Sequence, residues 1–253
     1  MKVAAIQFCP AFKDLKGNLR RLAALAIQAA EAGANLIVMP ELATTGYSMM
    51  SSAEATQLAE VLTEFKAGSG GQTSMDVFYA IARKYGVHLV WGLVESDYGS
   101  GRLYNSQVMM CPDSSFEFYR KVNLFGNDYL WAAEGRANPP VRKISVGGKD
   151  YKVGLLICRD VRDKKDESWS SFYEKGEADI VCMSANWGDG GFPATSWMDF
   201  VRANEVTLVV SNRYGREMPN DFGEGGVCII RPDSKVLCEG LVWSQDCIVY
   251  AEI

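Results

Sequence analysis

A series of short apolar runs, separated by turns or by segments of helix length, constrains the fold of this chain most strongly. Most runs are rich in Val, Ile and Leu without clean alternation, which favours strands covered on both faces. The runs lie at residues 2–8, 35–39, 87–95, 103–111, 151–158, 179–184, 206–212, 225–231 and 245–252. This pattern predicts an α/β fold with large mixed sheets and helices outside them.

Helical patterns fill several of the intervals between these runs. The predicted helices cover residues 18–32, 51–66, 73–85, 167–177 and 193–205. Gly33 is placed to end the first of them. Ser51 and Glu54 have the spacing of a capping box at the start of the second, and Thr73 is a favourable N-cap for the third.

The chain shows no sign of a boundary between domains. It has 253 residues, a length that α/β folds often reach as one unit. It contains no linker rich in Pro, Gly or Ser, no low-complexity tract and no clear short repeat. Residues 1–253 are therefore expected to form a single domain.

Charge and hydropathy argue against several classes of partner. The net charge is -5 and no cluster of Lys or Arg stands out, so neither nucleic acid nor an acidic membrane surface is expected. No apolar run approaches the roughly 20 residues that a membrane span needs. The N-terminus enters a strand pattern without the layout of a signal peptide, so we expect a cytoplasmic protein.

The seven cysteines are scattered without a Cys-x-x-Cys spacing. An odd number of unclustered thiols favours neither a disulfide framework nor a structural zinc site, so no metal is expected. Most of these thiols should be small buried hydrophobic residues.

The only histidine, His88, limits the possible catalytic mechanisms. A Ser-His-Asp or Cys-His centre would have to use it. Because His88 lies in an apolar run, the pattern favours a core histidine whose polar atoms are satisfied. A hydrolase with this sequence is therefore expected to move protons with a carboxylate or a lysine.

Glu41 follows the apolar run at 35–39 almost directly. Ligands of α/β sheets usually bind outside the carboxyl ends of the strands. Burial there would raise the pKa of Glu41 towards a value that suits a general base. Position alone leaves a second interpretation open, in which Glu41 caps a turn or pairs with a lysine.

Lys121 stands beside Arg120 at the end of a strand-like segment. A lysine in such a place is usually a solvated surface charge. Its local sequence therefore does not distinguish a functional role from an ordinary one.

Cys158 ends an apolar run and is followed at once by the charged pair Arg159 and Asp160. A strand that turns into a loop can present a nucleophile, and nearby cationic groups make a thiol more reactive. A buried core thiol is the alternative that composition favours.

Together, Glu41, Lys121 and Cys158 could supply one specific chemistry without histidine. Attack of a thiol on an amide carbonyl needs a base for the thiol proton and then an acid for the leaving amine. One carboxylate can perform both tasks in turn. The tetrahedral oxyanion needs a fixed positive charge or N–H donors.

The chain resembles the nitrilase superfamily of carbon–nitrogen hydrolases over essentially its whole length. Matching segments occur in the expected order around all three candidate residues. They are Lys2–Gln7, Pro40-Glu41 with Thr45-Gly46-Tyr47, Tyr104-Asn105-Ser106, Tyr119-Arg120-Lys121, Leu156–Asp160, Arg202–Glu205 and Ser211–Gly215.

The resemblance implies a four-layer αββα sandwich with two mixed sheets and outer helices. It also implies a catalytic triad of Glu41, Lys121 and Cys158, and a thioester on the cysteine that water hydrolyses. The backbone N–H of Arg159 would join Lys121 at the oxyanion. No cofactor is implied, and a homodimer or a higher homo-oligomer is expected.

Three positions depart from the common pattern of the family. Asp128 stands where many members have a second glutamate, and the family comparison makes it the fourth candidate of the catalytic group. Asn123 replaces a frequent histidine. Val206 follows Glu205 where asparagine is usual.

The substrate is expected to be a small linear amide, including ω-amides and N-carbamoyl compounds. Tyr47, Trp131, Arg159 and Trp187 are the candidate substrate-binding residues, although core packing is equally typical of the aromatic ones. Arg159 or Arg213 could receive a substrate carboxylate, and a structural salt bridge is the alternative for each.

Other functions stay open from the sequence. A true nitrilase is the nearest enzymatic alternative. A catalytically silent binding or scaffold protein on the same fold is the alternative of another class, supported by Asp128 and Asn123. A nucleotide-binding domain would need a glycine-rich loop after the first strand, and residues 9–14 offer none.

Overall fold

Two six-stranded sheets form the centre of the molecule. The computed structural model describes residues 1–68, 70–162, 172–188 and 191–253. The strands are β1 (Lys2–Gln7), β2 (Leu36–Val38), β3 (His88–Ser96), β4 (Leu103–Met110), β5 (Phe116–Arg120), β6 (Val141–Val146), β7 (Lys149–Ile157), β8 (Ile180–Ser184), β9 (Thr207–Ser211), β10 (Arg216–Glu217), β11 (Asn220–Asp221), β12 (Cys228–Ile230), β13 (Val236–Leu237) and β14 (Cys247–Glu252). The α-helices are α1 (Leu15–Glu31), α2 (Ser52–Thr56), α3 (Ser74–Tyr85) and α4 (Thr195–Asn204). Short 3-10 helices cover Leu62–Glu64, Gly126–Leu130 and Cys158–Val161.

The two sheets have the same pattern of strand directions. The first has the order β14-β1-β2-β3-β4-β5, and the second has the order β6-β7-β8-β9-β12-β13. In each, the second, third and fourth strands are parallel neighbours, and the remaining pairs are antiparallel. Both sheets are therefore mixed, as the resemblance implied.

The sheets pack face to face, and helices cover their outer sides. Along β1, Val3 and Ala5 belong to the core between the sheets, whereas Ala4 and Ile6 belong to the core under α1 and α3. This alternation follows from the period of two along a strand. On the far side, Phe200 of α4 is buried against the second sheet. The layers are helix, sheet, sheet and helix, which confirms the predicted αββα sandwich.

The predicted helices at 18–32, 73–85 and 193–205 are confirmed with small shifts of their ends. α1 begins earlier because the carboxylate of Asp14 accepts a hydrogen bond from the N–H of Gly17 at 3.0 Å. Thr73 and Asp76 form a capping box at the start of α3. Gly86, in the left-handed region at φ 67°, ends that helix.

The predicted helix at 51–66 is wrong beyond Thr56. Ser51 caps its start as expected, and its hydroxyl accepts from the N–H of Glu54 at 3.3 Å. Further along, Glu60 forms a parallel bridge with Glu95. Its backbone N–H and C=O form hydrogen bonds of 2.9 Å with strand β3. These groups are therefore satisfied by the sheet and not by a continuing helix.

Other differences involve segments with weak sequence signals. The predicted helix at 167–177 falls largely outside the described residues, and positions 172–177 form bends and turns. β6 and the very short strands β10, β11 and β13 were not predicted. Strands of two residues carry no usable periodicity.

Hydrogen bonds join the sheets at the carboxyl ends of their parallel strands. The hydroxyl of Ser184, the last residue of β8, donates to the C=O of Met39 just after β2 at 2.7 Å. The hydroxyl of Ser211, the last residue of β9, donates to the C=O of Ile6 at 2.6 Å. These bonds fix the edge at which both sheets end.

His88 is buried, as predicted, and is 9% exposed. It pairs with Leu36 at the start of β2, so it lies at the opposite end of that strand from Glu41. Burial lowers the pKa of His88 to about 4. Contrary to the expectation of satisfied polar atoms, its Nδ1 has no hydrogen-bond partner within the described part of the chain.

The described residues carry no helix suited to a membrane span and no side-chain group suited to a metal cluster. None of the helices found there combines the length and the apolar character that crossing a membrane would require. Over the same residues, no group of three or more His, Cys, Asp or Glu side chains could hold a metal ion.

Candidate active site

Glu41 lies in a tight turn after β2, and that turn rests against Gly92 of strand β3. The N–H of Gly92 donates to the C=O of Pro40 at 3.0 Å, and the C=O of Gly92 accepts from the N–H of Ala43 at 3.0 Å. A Cβ atom on Gly92 would lie 2.6 Å from the Cα of Glu41 and 2.5 Å from the N of Leu42. Only glycine allows this approach, which fixes the position of the glutamate.

Lys121 is held between two carboxylates. Its Nζ lies 2.6 Å from Oε1 of Glu41 and 2.7 Å from Oδ2 of Asp128. The side chains of all three residues are at most 1% exposed. The short side chain of Asp128 therefore reaches the lysine, because the 3-10 helix Gly126–Leu130 brings it close.

Asn105 of strand β4 joins the two carboxylates from a third side. Its Nδ2 donates to Oε1 of Glu41 at 2.7 Å and to Oδ1 of Asp128 at 3.0 Å. The sequence interpretation did not assign it a role. A signal was present, because Asn105, Ser106 and Gln107 interrupt an otherwise apolar strand and all three are fully buried.

The charges in this cluster determine where its protons lie. Burial alone would lower the pKa of Lys121, but the carboxylates of Asp128 and Glu41 outweigh it and hold that pKa well above its ordinary value. Burial raises the pKa of Glu41, while the ammonium of Lys121 opposes this rise. Lys121 is thus a cation at neutral pH, and Glu41 is the better proton acceptor of the two.

Cys158 lies at the end of β7, where the chain turns into the 3-10 helix Cys158–Val161. Its φ is 45°, in the left-handed region that non-glycine residues rarely adopt. Such a conformation costs about 1–3 kcal/mol and is concentrated at functional sites. The cysteine lines a cavity of about 130 Å³ and is 6% exposed.

Asn186, just after β8, connects the glutamate and the cysteine. Its backbone N–H donates to Oε2 of Glu41 at 2.9 Å. The same N–H stabilises the thiolate form of Cys158, but burial and the negative charge of Glu41 outweigh it and raise the pKa of the thiol well above its ordinary value. The resting thiol is therefore protonated and needs a base.

Asp160 ties the turn of Cys158 to the segment that carries Lys121. Its Oδ2 accepts from the hydroxyl of Tyr119 at 3.0 Å, and its Oδ1 accepts from the N–H of Asn123 at 2.6 Å. The side chain of Asn123 donates to the C=O of Arg162 at 2.9 Å. Asn123, which departs from the family pattern, thus links the same two segments.

Two of the four predicted substrate-binding residues line the cavity beside Cys158. They are Arg159 and Trp187, and the guanidinium of Arg162 lies 4.8 Å from the ring centre of Trp187. The described lining residues are Phe125, Cys158, Arg159, Arg162, Asn186, Trp187 and Gly188.

The other two predicted residues, Tyr47 and Trp131, are not among those lining residues. Tyr47 supports the wall from behind, because its hydroxyl donates to the C=O of Phe125. Trp131 is buried in a separate apolar cluster and lines a different depression. Arg213 is also not among the described lining residues and forms a buried salt bridge with Glu217 at 2.9 Å.

Comparisons with known proteins place this arrangement in a family. The sequence profile described as "Carbon-nitrogen hydrolase" matches residues 2–253. A nitrilase of Pyrococcus abyssi is 32% identical over 242 residues, which cover 94% of this chain and 84% of that protein. A 2-oxoglutaramate amidase of Bacillus subtilis is 27% identical over 256 residues, which cover 99% of this chain and 90% of that protein.

A solved structure shares the fold. The NitN amidase of Nesterenkonia sp. AN1 superposes with a TM-score of 0.78 at 22% identity, covering 100% of this chain and 92% of that one. The sequence match over nearly the whole chain and this shared fold lead to one conclusion. The chain belongs to the carbon–nitrogen hydrolase family of the nitrilase superfamily.

Proposed function

We propose that the enzyme hydrolyses small linear amides through a thioester on Cys158. The observation that carries this proposal is the position of Lys121, whose ammonium is held by Glu41 and Asp128 beside the turn that presents the cysteine. In this proposal Glu41 carries protons and Lys121 stabilises the oxyanion. Side chains and backbone groups of the chain act on the substrate and on one water molecule.

Acylation begins when Glu41 takes the proton of the Cys158 thiol. The thiolate attacks the amide carbon, a C–S bond forms and the carbonyl oxygen becomes an oxyanion. Lys121 and the backbone N–H of Arg159 stabilise that charge. The C–N bond then breaks, and Glu41 gives its proton to the leaving amine, which departs as ammonia when the amide is primary.

Deacylation repeats these steps with water. Glu41 takes a proton from water, whose oxygen attacks the thioester carbon and forms a second oxyanion. The C–S bond breaks, the carboxylic acid leaves and the proton returns to the sulfur of Cys158. The total charge of the cluster is unchanged, because each proton moves between Glu41 and a neighbouring group.

Asp128 acts in this proposal as a positioning residue. It accepts from Lys121 and from Asn105, so it keeps the lysine charged and oriented. The alternative hypothesis of a catalytically silent scaffold protein was supported by Asp128 and Asn123. The side chains of both residues make contacts that hold the candidate active site together, which favours the enzymatic proposal.

The cavity favours short substrates that carry a negative charge. Its volume of about 130 Å³ is well below the range of roughly 300–1,000 Å³ that drug-sized ligands occupy. The charged residues of its described lining are Arg159 and Arg162. An ω-amide or an N-carbamoyl compound with a carboxylate would suit such a wall, and one relative is named 2-oxoglutaramate amidase.

Intact-protein mass spectrometry tests the reaction. The protein is mixed with a panel of primary amides, N-carbamoyl compounds and nitriles, with and without a carboxylate, while ammonia release is measured. The proposal expects a mass gain on Cys158 from an amide, absent in Cys158→Ala. Ammonia release that persists in Cys158→Ala would overturn it, and acylation by nitriles alone would make the chain a nitrilase.

We also propose that the enzyme assembles as a homodimer or a higher homo-oligomer, as the resemblance implies, and that it is located in the cytoplasm. Light scattering of the purified protein tests its assembly, and fractionation of cells that express it tests its location. A mass equal to a single chain at micromolar concentration would contradict the first part.

A further inference from the structure

Asn186 lies in the wall of the Cys158 cavity. The residue follows β8, and its backbone is held because its N–H donates to Glu41 at 2.9 Å. Asn186 also lines the cavity together with Cys158. Asn186 is therefore close to any acyl group bound to that cysteine.

The carboxamide of Asn186 is buried without a hydrogen-bond partner. Asn186 is 8% exposed, and neither its Nδ2 nor its Oδ1 has a partner among the residues that the structure describes. Exchanging the two atoms would leave the same two groups unpaired, so the finding does not depend on the orientation of the amide. Unpaired buried polar atoms are costly and are uncommon in native proteins.

A nearby asparagine shows what a structural amide looks like in this molecule. Asn212 is 1% exposed, and its Oδ1 accepts from the N–H of Trp187 at 2.8 Å. Its Nδ2 donates to the C=O of the same tryptophan at 3.0 Å. Asn212 therefore holds the backbone that follows Asn186, whereas the side chain of Asn186 holds no described residue.

We propose that Asn186 is a specificity-determining residue whose carboxamide binds a neutral polar substituent on the acyl part of the substrate. This inference rests on the proposed amidase function. Because Asn186 offers both a donor and an acceptor, the best complement also has both. A hydroxyl group or a second carboxamide meets this requirement, whereas an alkyl group leaves the asparagine unpaired.

Matched pairs of substrates measure the preference. 2-Hydroxypropanamide differs from 2-methylpropanamide by a hydroxyl in place of a methyl group. Malonamide differs from 3-methylbutanamide by a carboxamide in place of an isopropyl group. In at least one pair, we expect kcat/KM of the protein to be ten-fold or more higher for the polar member.

Asn186→Leu tests whether this residue is responsible, since leucine has nearly the shape of asparagine without its polar atoms. We expect the ratio of kcat/KM within the preferred pair to fall to about one. We also expect Tm to rise, because an unpaired buried amide has been removed. The matched control Asn212→Leu should lower Tm, because it leaves the N–H and C=O of Trp187 unpaired.

Binding of the paired substrates to Cys158→Ala measures the same preference without turnover, so the test does not depend on the catalytic rate. Ligand-observed NMR should show tighter binding of the preferred polar member, and Asn186→Leu in the same background should abolish that difference. The inference is overturned if neither pair shows a preference, or if the preference survives Asn186→Leu. Failure of the amidase function would differ, because no compound in the wider panel would then acylate Cys158.

Discussion

Oδ2 of Asp128 lies 2.7 Å from Nζ of Lys121, and the side chains are 0% and 1% exposed, respectively. Asp128, which stands where many members of the family have a glutamate, thus reaches Lys121 in spite of its shorter side chain. The contact is possible because the 3-10 helix Gly126–Leu130 brings the backbone of Asp128 towards the lysine.

Asp128→Asn should shift the pH profile of the enzyme. The charge of Asp128 helps to raise the pKa of Lys121 against burial, so its loss lowers that pKa. The alkaline limb of kcat/KM, where Lys121 loses its proton, should move to lower pH. The maximum should fall by about 10–100-fold, the scale of a misplaced catalytic group. Asp128→Glu keeps the charge, so an equal shift in this control would contradict the explanation.

Glu41→Gln should separate two properties of Cys158. Turnover should fall by about 10²–10⁴-fold, because the thiol loses its base. The pKa of the thiol should nevertheless decrease, since the negative charge of Glu41 helps to raise it. The rate of alkylation of Cys158 by iodoacetamide increases with pH as the thiol ionises. In the variant, this increase should therefore occur at a lower pH. An unchanged alkylation profile would show that Glu41 is not ionised beside the thiol.

Asp160→Asn should alter the dependence of stability on pH. Burial raises the pKa of Asp160 to about 7 from an ordinary value of 3.8. A raised pKa means that the folded state holds this proton more tightly, so its contribution is complete below pH 3.8 and is lost as the pH rises to about 7. The free energy of unfolding of Asp160→Asn, relative to the parent, should increase by on the order of 2–4 kcal/mol between pH 4 and pH 8.

Urea unfolding at several pH values measures this difference. Asparagine can still accept from the N–H of Asn123, so the fold should be retained. A constant difference between the two proteins across this pH range would show that Asp160 does not titrate there.

Gly92→Ala should impair activity through the position of Glu41. The new methyl group would lie 2.6 Å from the Cα of Glu41, and no rotamer can relieve a clash with backbone. We expect a loss of about 1–3 kcal/mol in unfolding free energy, the usual effect of overpacking. Activity of the folded fraction should fall as well. Gly99→Ala is the control, because its nearest neighbour would be 3.9 Å away and its activity should be normal.

Glu41 and Cys158 could be predicted as site residues from the sequence because each stands where an apolar run stops. The runs form β2 and β7, so the ends of these runs mark the edge at which the site lies. The sequence did not show that Cys158 has a positive φ, because nothing in the apolar pattern encodes that turn.

Lys121 shows why local pattern was not sufficient. Beside Arg120 it resembles a surface lysine, yet it is 1% exposed. One of its partners, Glu41, lies 80 residues away in the sequence. Only the resemblance to a family identified that pair, since periodicity reports which face of an element is apolar and not what lies opposite.

Asn186 was not predicted as a binding residue, although its local position was informative. The prediction favoured aromatic residues and therefore named its neighbour Trp187. Asn186, however, follows β8 in the same way that Glu41 follows β2. In both sheets the polar residue after a buried parallel strand reaches the site. Binding residues were therefore better indicated by position after a strand than by residue type.

The division of the site between two sheets has a consequence for how the enzyme acquires activity. Glu41 and Lys121 follow strands of the first sheet, whereas Cys158 and Asn186 follow strands of the second. A refolding chain can form the strands of either sheet without bringing these groups together. Recovery of turnover during refolding should thus lag behind recovery of the far-ultraviolet circular dichroism signal. The return of catalytic activity would then report the time at which one sheet packs on the other.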